Sequence, residues 1–516
     1  MPRMPYVRPR FLIAIAVLTV PLLAAGCGPS VGGTGTAGST GTAGTSGAAG
    51  TTGSAGTSGD AGTTGSGGSV STAGTTGTGG GGAGTTGVAG TTGVGGTTGA
   101  AGSAGGTTGS GGSAAGTTGS AGRGGTGGSG GRGGAAGGTA GTTGSAGTGG
   151  TGTNNCPVIS EFTQSWPTGK GPSDIGKLAV SNFRSWLASR LPITNSTYGG
   201  DGYALAFTWF GSLRVSKFLN DTTNNTYFIQ QFEPYASGSV TVDNGTTASV
   251  DYRAFGDLPL EIFQQNNDMR CKTIGLARAD AQWQNPNGMI TRDARYWADD
   301  MYMITALQVE AYRATKDTMY LTRAATTLLD YMAKLQQADG LFWHTMQSKA
   351  YWGRANGWVA AGTAELLVDL PAGSQRDMVM IGFKKQLDGL LTRQVSGGTD
   401  DGMWRQVLDV STANPESSCT AMFTFALTTA LKNGWISGTN YASAARRGWI
   451  AVANKTNASG QLDRVCPGTG QAPAGTLASQ QQFYTSITLG SNDTHGQAPL
   501  LWLSHALLRT DCPGMR

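Results

Sequence analysis

The sequence predicts an all-α protein, an (α/α)6 barrel of six helical hairpins, preceded by a disordered tether rich in Gly, Thr, Ser and Ala. Two observations carry this prediction. Most of the 87 glycines lie in the first third of the 516 residues, which leaves the remainder for a folded domain. In that remainder a polar cluster is followed by an apolar helix, a turn and a one-sided helix, and this pattern recurs six times.

The first 27 residues have the pattern of an export signal. Arg3, Arg8 and Arg10 give a positive start, and an apolar stretch from Phe11 to Leu23 follows. The segment ends in Leu-Ala-Ala-Gly-Cys and so resembles a bacterial lipobox, which implies that Cys27 carries lipid and anchors an exported protein to the outer membrane or cell surface. An ordinary cleavage site with a chance cysteine is the alternative.

Residues 28–156 repeat short blocks such as Ala-Gly-Thr-Thr-Gly and contain almost no large apolar side chains. Such a segment cannot bury enough surface to offset the entropy of ordering, so we expect a disordered linker. A random coil of this length spans about 60 Å. A glycosylated stalk or an adhesive repeat is the functional alternative to a spacer.

The cysteines and the charge exclude several classes of protein. Five cysteines remain after Cys27, so disulfides are allowed in an exported protein but one thiol stays unpaired in a monomer, the state we expect. Cys156 and Cys512 bracket the domain and are the preferred pair. No zinc-type spacing occurs, and a net charge of +5 without a basic cluster does not suggest nucleic acid. We expect no metal and no cofactor.

The folded domain is expected to span residues 157–516. Its inner helices, such as Met301–Tyr312 and Ala421–Leu431, are apolar nearly all round, whereas Val180, Phe183, Leu187 and Leu191 form a single stripe on the first outer helix. The other outer helices are predicted near residues 227–232, 271–283, 320–335, 378–391 and 441–452. An open α-solenoid is the alternative, but the uneven spacing of the repeats favours a closed ring.

In a closed ring the starts of the inner helices share one mouth, so the six polar clusters are expected to converge there. Asp201, Asp300 and Ser417 fit helix caps as well as functional groups. The clusters begin at Gly199, Val250, Trp297, Trp352, Glu416 and Asp493.

Three segments, Tyr296–Met303, Gly340–His344 and Trp352–Trp358, resemble signature segments of glycoside hydrolase families 88 and 105, the unsaturated glucuronyl and rhamnogalacturonyl hydrolases. The resemblance is closer to the family 105 branch and implies the same barrel. It extends through further segments, namely Asp401–Trp404, Glu416–Ser418, Cys466–Thr469 and Asp493–Pro499.

The resemblance implies an unusual reaction on an unsaturated oligosaccharide, the product of a polysaccharide lyase. Such enzymes hydrate the double bond of a 4,5-unsaturated uronic acid at the non-reducing end, and the hemiketal then expels the next sugar. Asp299 matches the catalytic Trp-x-Asp position, where one carboxyl group protonates C4 and then activates water. Unsaturated galacturonyl-rhamnose from pectin is the expected substrate.

Other residues match family positions that bind the sugar. Asp251 matches a second acid, and Asp300 is either a rival to Asp299 or a helix cap. His344 and Arg354 match the subsite of the unsaturated uronate, where a guanidinium can form a fork on a carboxylate. The remaining candidates for sugar contact are Trp297, Trp352, Trp358 and His495.

Two alternatives of other classes stay open. One is a different enzyme on the same barrel, such as an endo-mannanase or a polysaccharide lyase. The other is a sugar-capturing lipoprotein without catalysis, which would keep the aromatic side chains and Arg354 but would not need Asp299.

Overall fold

The computed structural model describes residues 157–192, 202–241, 249–284, 286 and 290–510. The predicted lipid site at Cys27, the tether, and the Cys156–Cys512 pair lie outside these residues. Cys271, Cys419 and Cys466 are buried free thiols. Within the described ranges, no helix is long and apolar enough to cross a membrane.

Sixteen α-helices lie in the described residues, together with two 3₁₀ turns at Ala254–Gly256 and Gly398–Asp400. In chain order they are α1 Ser160–Thr163, α2 Pro172–Ala188, α3 Gly202–Phe218, α4 Thr222–Gln231, α5 Glu233–Ala236, α6 Val250–Arg253, α7 Asp257–Asn266, α8 Met269–Gln282, α9 Asp300–Thr315, α10 Met319–Leu335, α11 Gly353–Asp369, α12 Ser374–Leu391, α13 Ser417–Lys432, α14 Thr439–Asn454, α15 Leu477–Thr485 and α16 Thr494–Leu508. Two short strands, β1 Trp404–Arg405 and β2 Pro415–Glu416, pair antiparallel.

Six helices form a closed inner ring, which confirms the barrel over the open solenoid. In order around the ring they are α3, α7, α9, α11, α13 and α16, and α16 packs back on α3. Close approach within the ring depends on small residues: a Cβ added to Gly362 of α11 would lie 2.4 Å from the carbonyl oxygen of Met301 on α9. The inner helices are therefore packed too tightly for a side chain at this position.

The outer helices α2, α4, α8, α10, α12 and α14 cover the ring, each with one buried face. On α10 the buried side chains include Leu321, Leu328 and Leu335, spaced by about two turns. The predicted stripe on α2 holds for Val180, Phe183 and Leu187, but the helix ends at Ala188 and Leu191 lies beyond it.

Four of the predicted polar clusters directly precede or begin inner helices, as expected. The cluster at Val250 differs, because it forms the short helix α6 and the inner helix α7 begins only at Asp257. The cluster at Gly199, including Asp201, lies outside the described residues. Backbone bridges join neighbouring loops at the mouth, pairing Trp297 with Thr345 and Trp352 with Val407.

Candidate active site

A cleft of about 330 Å³ opens at the mouth of the barrel. Three residues predicted from the sequence line it, namely Asp251, Trp297 and Asp299. Although two of them lie in the segment Cys466–Thr469 that shares the resemblance, the sequence analysis did not name the other lining residues as site residues. These are Tyr203, Arg295, Gly468, Thr469 and Gly470.

Asp299 stands at the start of α9, where the chain turns from the loop into the helix. The loop is held in place because the Ala298 N–H donates to the His344 carbonyl oxygen at 2.8 Å. The Asp299 side chain is only 10% exposed, and that exposed part faces the cleft. The residue is thus a nearly buried carboxyl group on a rigid helix end.

His344 lies directly behind Asp299, with its Nε2 3.0 Å from Asp299 Oδ2. The two atoms are at ion-pair distance, although their geometry is not that of a hydrogen bond. Neither atom has a hydrogen-bond partner among the described residues. The His344 ring is fully buried, and its Nδ1 contacts the Tyr484 hydroxyl at 2.5 Å. The Tyr484 oxygen also accepts the Ala472 N–H and lies 3.0 Å from Ser348 Oγ, so it is tied to three neighbours. The Tyr484 contact holds the His344 ring with Nε2 on the side of Asp299.

Two opposing effects set the pKa of Asp299. Burial is the largest single effect; it favours the neutral acid and raises the pKa, whereas the charge and hydrogen bonding of His344 lower it. The guanidinium groups of Arg295 and Arg354 act in the same direction as His344. The net result is a pKa below the ordinary value, so the carboxyl group is ionised in the empty cleft at neutral pH.

Asp300 does not share the task of Asp299, and it does not cap the helix as expected. Its Oδ2 accepts hydrogen bonds from the Arg295 N–H at 2.9 Å and from the Tyr331 hydroxyl at 2.7 Å, and its Oδ1 accepts from Arg295 Nε. These donors belong to the preceding loop and to α10, not to the first turn of α9. Asp300 is fully buried and holds the loop that carries Arg295.

Arg295 was missed by the sequence analysis. Its two terminal nitrogens contact both carboxylate oxygens of Asp251, at 2.8 and 3.1 Å. The guanidinium lies 4.9 Å from the centre of the Trp297 ring, and about 30% of the side chain is exposed in the cleft. Arg295 is therefore the guanidinium that a ligand in the cleft can reach.

The position of Arg354 contradicts the prediction that it forks onto the uronate. The side chain is buried, and its two terminal nitrogens donate to the carbonyl oxygens of Cys466 and Pro467. Only Nε lacks a partner among the described residues. Arg354 instead anchors the start of the loop whose next residues, Gly468, Thr469 and Gly470, line the cleft.

Trp352 and Trp358 are likewise not platforms for a sugar. Trp352 is 1% exposed and stacks on Tyr484 with ring centres 5.4 Å apart. Trp358 is fully buried against the rings of Tyr203 and Tyr302. Of the three predicted tryptophans only Trp297 borders the cleft, because the other two belong to the aromatic layer beneath it.

His495 also lies beneath the cleft. Its Nδ1 is 2.7 Å from Asp493 Oδ1, and its Nε2 is 2.8 Å from the Tyr203 hydroxyl. Asp493 also caps α16 by accepting the His495 N–H. The half-buried Tyr203 borders the cleft, so His495 meets it through Tyr203. The only sequence signal for Tyr203 was its position just after the first polar cluster.

The fold has counterparts among solved structures. A family 105 glycoside hydrolase from C. acetobutylicum aligns with a TM-score of 0.56 and 17% identity, covering 64% of this chain and 98% of that one. A possible family 105 member from Salmonella enterica aligns with a TM-score of 0.54 and 18% identity, covering 66% and 94%. At these identities the likeness establishes the (α/α)6 barrel.

Curated relatives match part of the chain. An unsaturated 3S-rhamnoglycuronyl hydrolase from Alteromonas sp. is 26% identical over 36% of this chain and 48% of its own length. An unsaturated rhamnogalacturonyl hydrolase from Bacillus subtilis is 25% identical over 34% of this chain and 50% of its own length. The chain thus spans about half the length of these two relatives.

The chain is thus an (α/α)6 barrel with a cleft at its mouth, a fold that it shares with glycoside hydrolases. Glycosyl Hydrolase Family 88 matches residues 193–511, which include the whole inner ring. The chain is a member of that family.

Proposed function

We propose that the protein removes a 4,5-unsaturated uronic acid from the non-reducing end of oligosaccharides made by polysaccharide lyases. The observation that carries this proposal is the arrangement at the cleft. The nearly buried carboxyl group of Asp299 is paired with His344, and the partly exposed guanidinium of Arg295 lines the same cleft. Hydration of a vinyl ether needs one proton donor near C4, a water near C5 and a cation for the uronate. The cleft supplies Asp299 as the proton donor and Arg295 as the cation for the uronate.

Asp299 is the proposed acid. Its carboxyl group is ionised in the empty cleft, and the negative charge of the bound uronate raises its pKa so that it takes up a proton. Its proton goes to C4, the electrons of the double bond form the new C–H bond, and positive charge develops at C5 and the ring oxygen. Water adds at C5, and the carboxylate left on Asp299 can accept a proton from it. The hemiketal then opens and releases the next sugar.

Arg295 is the proposed partner of the uronate carboxylate, in place of Arg354. Its guanidinium already grips a carboxylate, that of Asp251, in a two-pronged contact. A uronate can take over this geometry while Asp300 keeps hold of Arg295 from behind. Asp251, once displaced from Arg295, would order the sugar or the water. Trp297, beside the guanidinium, offers its ring to the sugar.

The sugar that follows the uronate is proposed to be rhamnose. The printed names of the relatives support this choice, since both the rhamnoglycuronyl and the rhamnogalacturonyl hydrolases act on such a linkage by name. Whether the uronate derives from galacturonic acid, as in pectin, decides between these two substrates.

The test follows absorbance near 235 nm, where the unsaturated uronate absorbs, with separate lyase digests of rhamnogalacturonan, of glucuronyl-rhamnose polymers and of glycosaminoglycans. Decay with the rhamnogalacturonan digest supports the full proposal. Decay with the glucuronyl-rhamnose digest alone moves the substrate to that class. No decay with any digest would overturn the proposal.

We also propose that the enzyme is exported and works as a monomer, with the lipid on Cys27 as its membrane partner and residues 28–156 as the spacer. Radiolabelled fatty acid should enter the full chain but not a Cys27→Ser variant. Equal labelling of both chains would remove the anchor from the proposal.

A further inference from the structure

Two ion pairs join the same two segments of the chain beside the cleft. The short helix α6 contains Asp251 and Arg253, and the loop before α9 contains Asp293 and Arg295. Each segment therefore reads Asp-x-Arg. The segments pair in reversed order, because Asp251 contacts Arg295 and Arg253 contacts Asp293. They are thus held together twice, each time by one carboxylate and one guanidinium.

The two ion pairs differ in their exposure to solvent. The side chains of Asp251 and Arg295 are each 30% exposed, and both residues line the cleft. The side chains of Arg253 and Asp293 are 1% and 0% exposed. Water and salt screen an exposed ion pair, so a ligand carboxylate can replace one of its partners at little cost. Removing one partner of a buried pair is strongly destabilising, because the other charge is left uncompensated in the interior.

The loop that carries Asp293 is also attached to the end of α8. The Thr291 hydroxyl and the Arg292 N–H both donate to the Gln282 carbonyl oxygen, at 2.5 and 3.2 Å. The Asp293 N–H donates to the Thr291 hydroxyl oxygen at 3.2 Å, and Asp293 Oδ1 lies 3.3 Å from Arg292 Nε. Asp293 therefore has a fixed place two residues before Arg295, and its buried ion pair connects that place to α6.

We propose that Arg253 and Asp293 are positioning residues, which keep Arg295 in place for the uronate once Asp251 has been displaced. This inference rests on the proposed function. When a uronate takes over the Arg295 guanidinium, the exposed contact between the two segments is lost. The buried contact persists, so the segments stay together and the guanidinium keeps its orientation. The exposed pair thus holds the empty site, and the buried pair holds the occupied one.

The contacts between Asp300 and Arg295 do not serve the same purpose. Asp300 accepts hydrogen bonds from the Nε and the backbone N–H of Arg295, five positions before it in the chain. These local bonds orient the guanidinium relative to α9 but do not involve α6. The ion pair between Arg253 and Asp293 joins residues 40 positions apart. It fixes the loop that carries Arg295 against the segment that carries Asp251.

The test measures KM and kcat by the decay at 235 nm for a variant with both Arg253→Gln and Asp293→Asn. Removing both charges leaves neither of them buried alone, so this variant avoids the destabilisation expected of either change by itself. A less firmly held guanidinium should raise KM about tenfold and leave kcat within about threefold, because Asp299 is unchanged. Arg253→Lys keeps the charge balanced and loses only the planar group, so it should raise KM by a smaller factor with the same kcat.

A double-mutant cycle links the effect to Arg295. In an Arg295→Lys background the two-pronged contact is already absent. Adding Arg253→Gln and Asp293→Asn to that background should therefore raise KM by less than about twofold more. Losses that multiply would show that the buried pair acts on binding by another route, and they would overturn the inference.

Controls separate positioning from stability. Leu328→Ala removes a buried side chain on the outer helix α10, which does not line the cleft, so it should lower Tm and leave KM unchanged. A wild-type KM in both Arg253 variants would overturn the inference and leave the proposed function standing, because the pair would then be purely structural. A wild-type protein that consumes none of the lyase digests would overturn the proposed function and the inference with it.

Discussion

The hydroxyl of Tyr484 is one atom on which the geometry of the proposed site depends. It contacts His344 Nδ1 at 2.5 Å, Ser348 Oγ at 3.0 Å and the Ala472 N–H at 2.8 Å. Tyr484→Phe removes that oxygen while keeping the ring that stacks on Trp352. The variant therefore isolates the hydrogen bonds from the packing.

The expected loss of stability follows from the groups left without a partner. Ser348 can rotate its hydroxyl, but the Ala472 N–H and His344 Nδ1 are fixed and buried. At about 1–3 kcal/mol for each unsatisfied buried group, the free energy of unfolding should fall by about 2–6 kcal/mol. The space left by one oxygen is too small for a water molecule to restore both contacts.

Activity should fall as well, because the Tyr484 hydroxyl holds the His344 ring with Nε2 toward Asp299. Without it the imidazole can turn a lone pair toward the carboxylate. A contact worth about 1–2 kcal/mol in the transition state corresponds to a loss of about 5- to 30-fold in kcat. Urea unfolding and the decay at 235 nm measure the two effects. Tyr312→Phe is the control, since its hydroxyl makes no hydrogen bond among the described residues. A Tyr484→Phe variant with wild-type stability and kcat would refute the reasoning.

Three further predictions concern pH, the uronate contact and the buried charges. The pKa of Asp299 is lowered in the empty cleft, and a bound uronate would raise it by like-charge repulsion. With rising pH, kcat should therefore fall at a higher pH than kcat/KM. A fall of both parameters at the same pH would contradict this. Arg295→Lys keeps the positive charge but loses the two-pronged contact. KM should therefore rise about tenfold, the equivalent of about 1.4 kcal/mol, with a smaller change in kcat. A change confined to kcat would argue against the uronate contact. Asp257 is buried, neither of its carboxylate oxygens has a hydrogen-bond partner among the described residues, and burial followed by the charge of Glu310 raises its pKa well above 3.8. A raised pKa in the folded state means that stability is lost as pH rises above the unfolded value, so Asp257→Asn should raise Tm at pH 7 but not near pH 3; an equal shift at both pH values would count against this explanation.

The barrel could be predicted from the sequence because helix periodicity is a local property. The alternation of all-round and one-sided apolar helices reports on burial directly. Within the described residues the pattern fails at the second inner helix, where α6 intervenes before Asp257, and at Leu191, which lies beyond the end of α2. Asp299 was found for a related reason, since it stands in a short motif at a helix start. It lies beside His344 in the structure, and its catalytic role stays a prediction.

The surroundings of the site could not be predicted in the same way, because they depend on which loops meet. Arg354 and Arg295 are both arginines near the mouth, and nothing local distinguishes the one that anchors Cys466 and Pro467 from the one exposed in the cleft. Tyr203 and His495 are almost 300 positions apart, and ring closure alone brings them together. Exposure of Trp352 and Trp358 was overestimated because a motif does not reveal which face of an aromatic ring is covered.

The most direct measurement of the central claim is turnover by the Asp299→Asn variant on the unsaturated oligosaccharide that the wild-type protein consumes. The amide keeps the shape of the side chain but cannot donate a proton to C4. The account predicts a fall in kcat of about 100- to 10,000-fold, with the substrate still bound in calorimetry at an affinity near that of the wild type. Decay at 235 nm at the wild-type rate would contradict it, because Asp299 would then not be the acid.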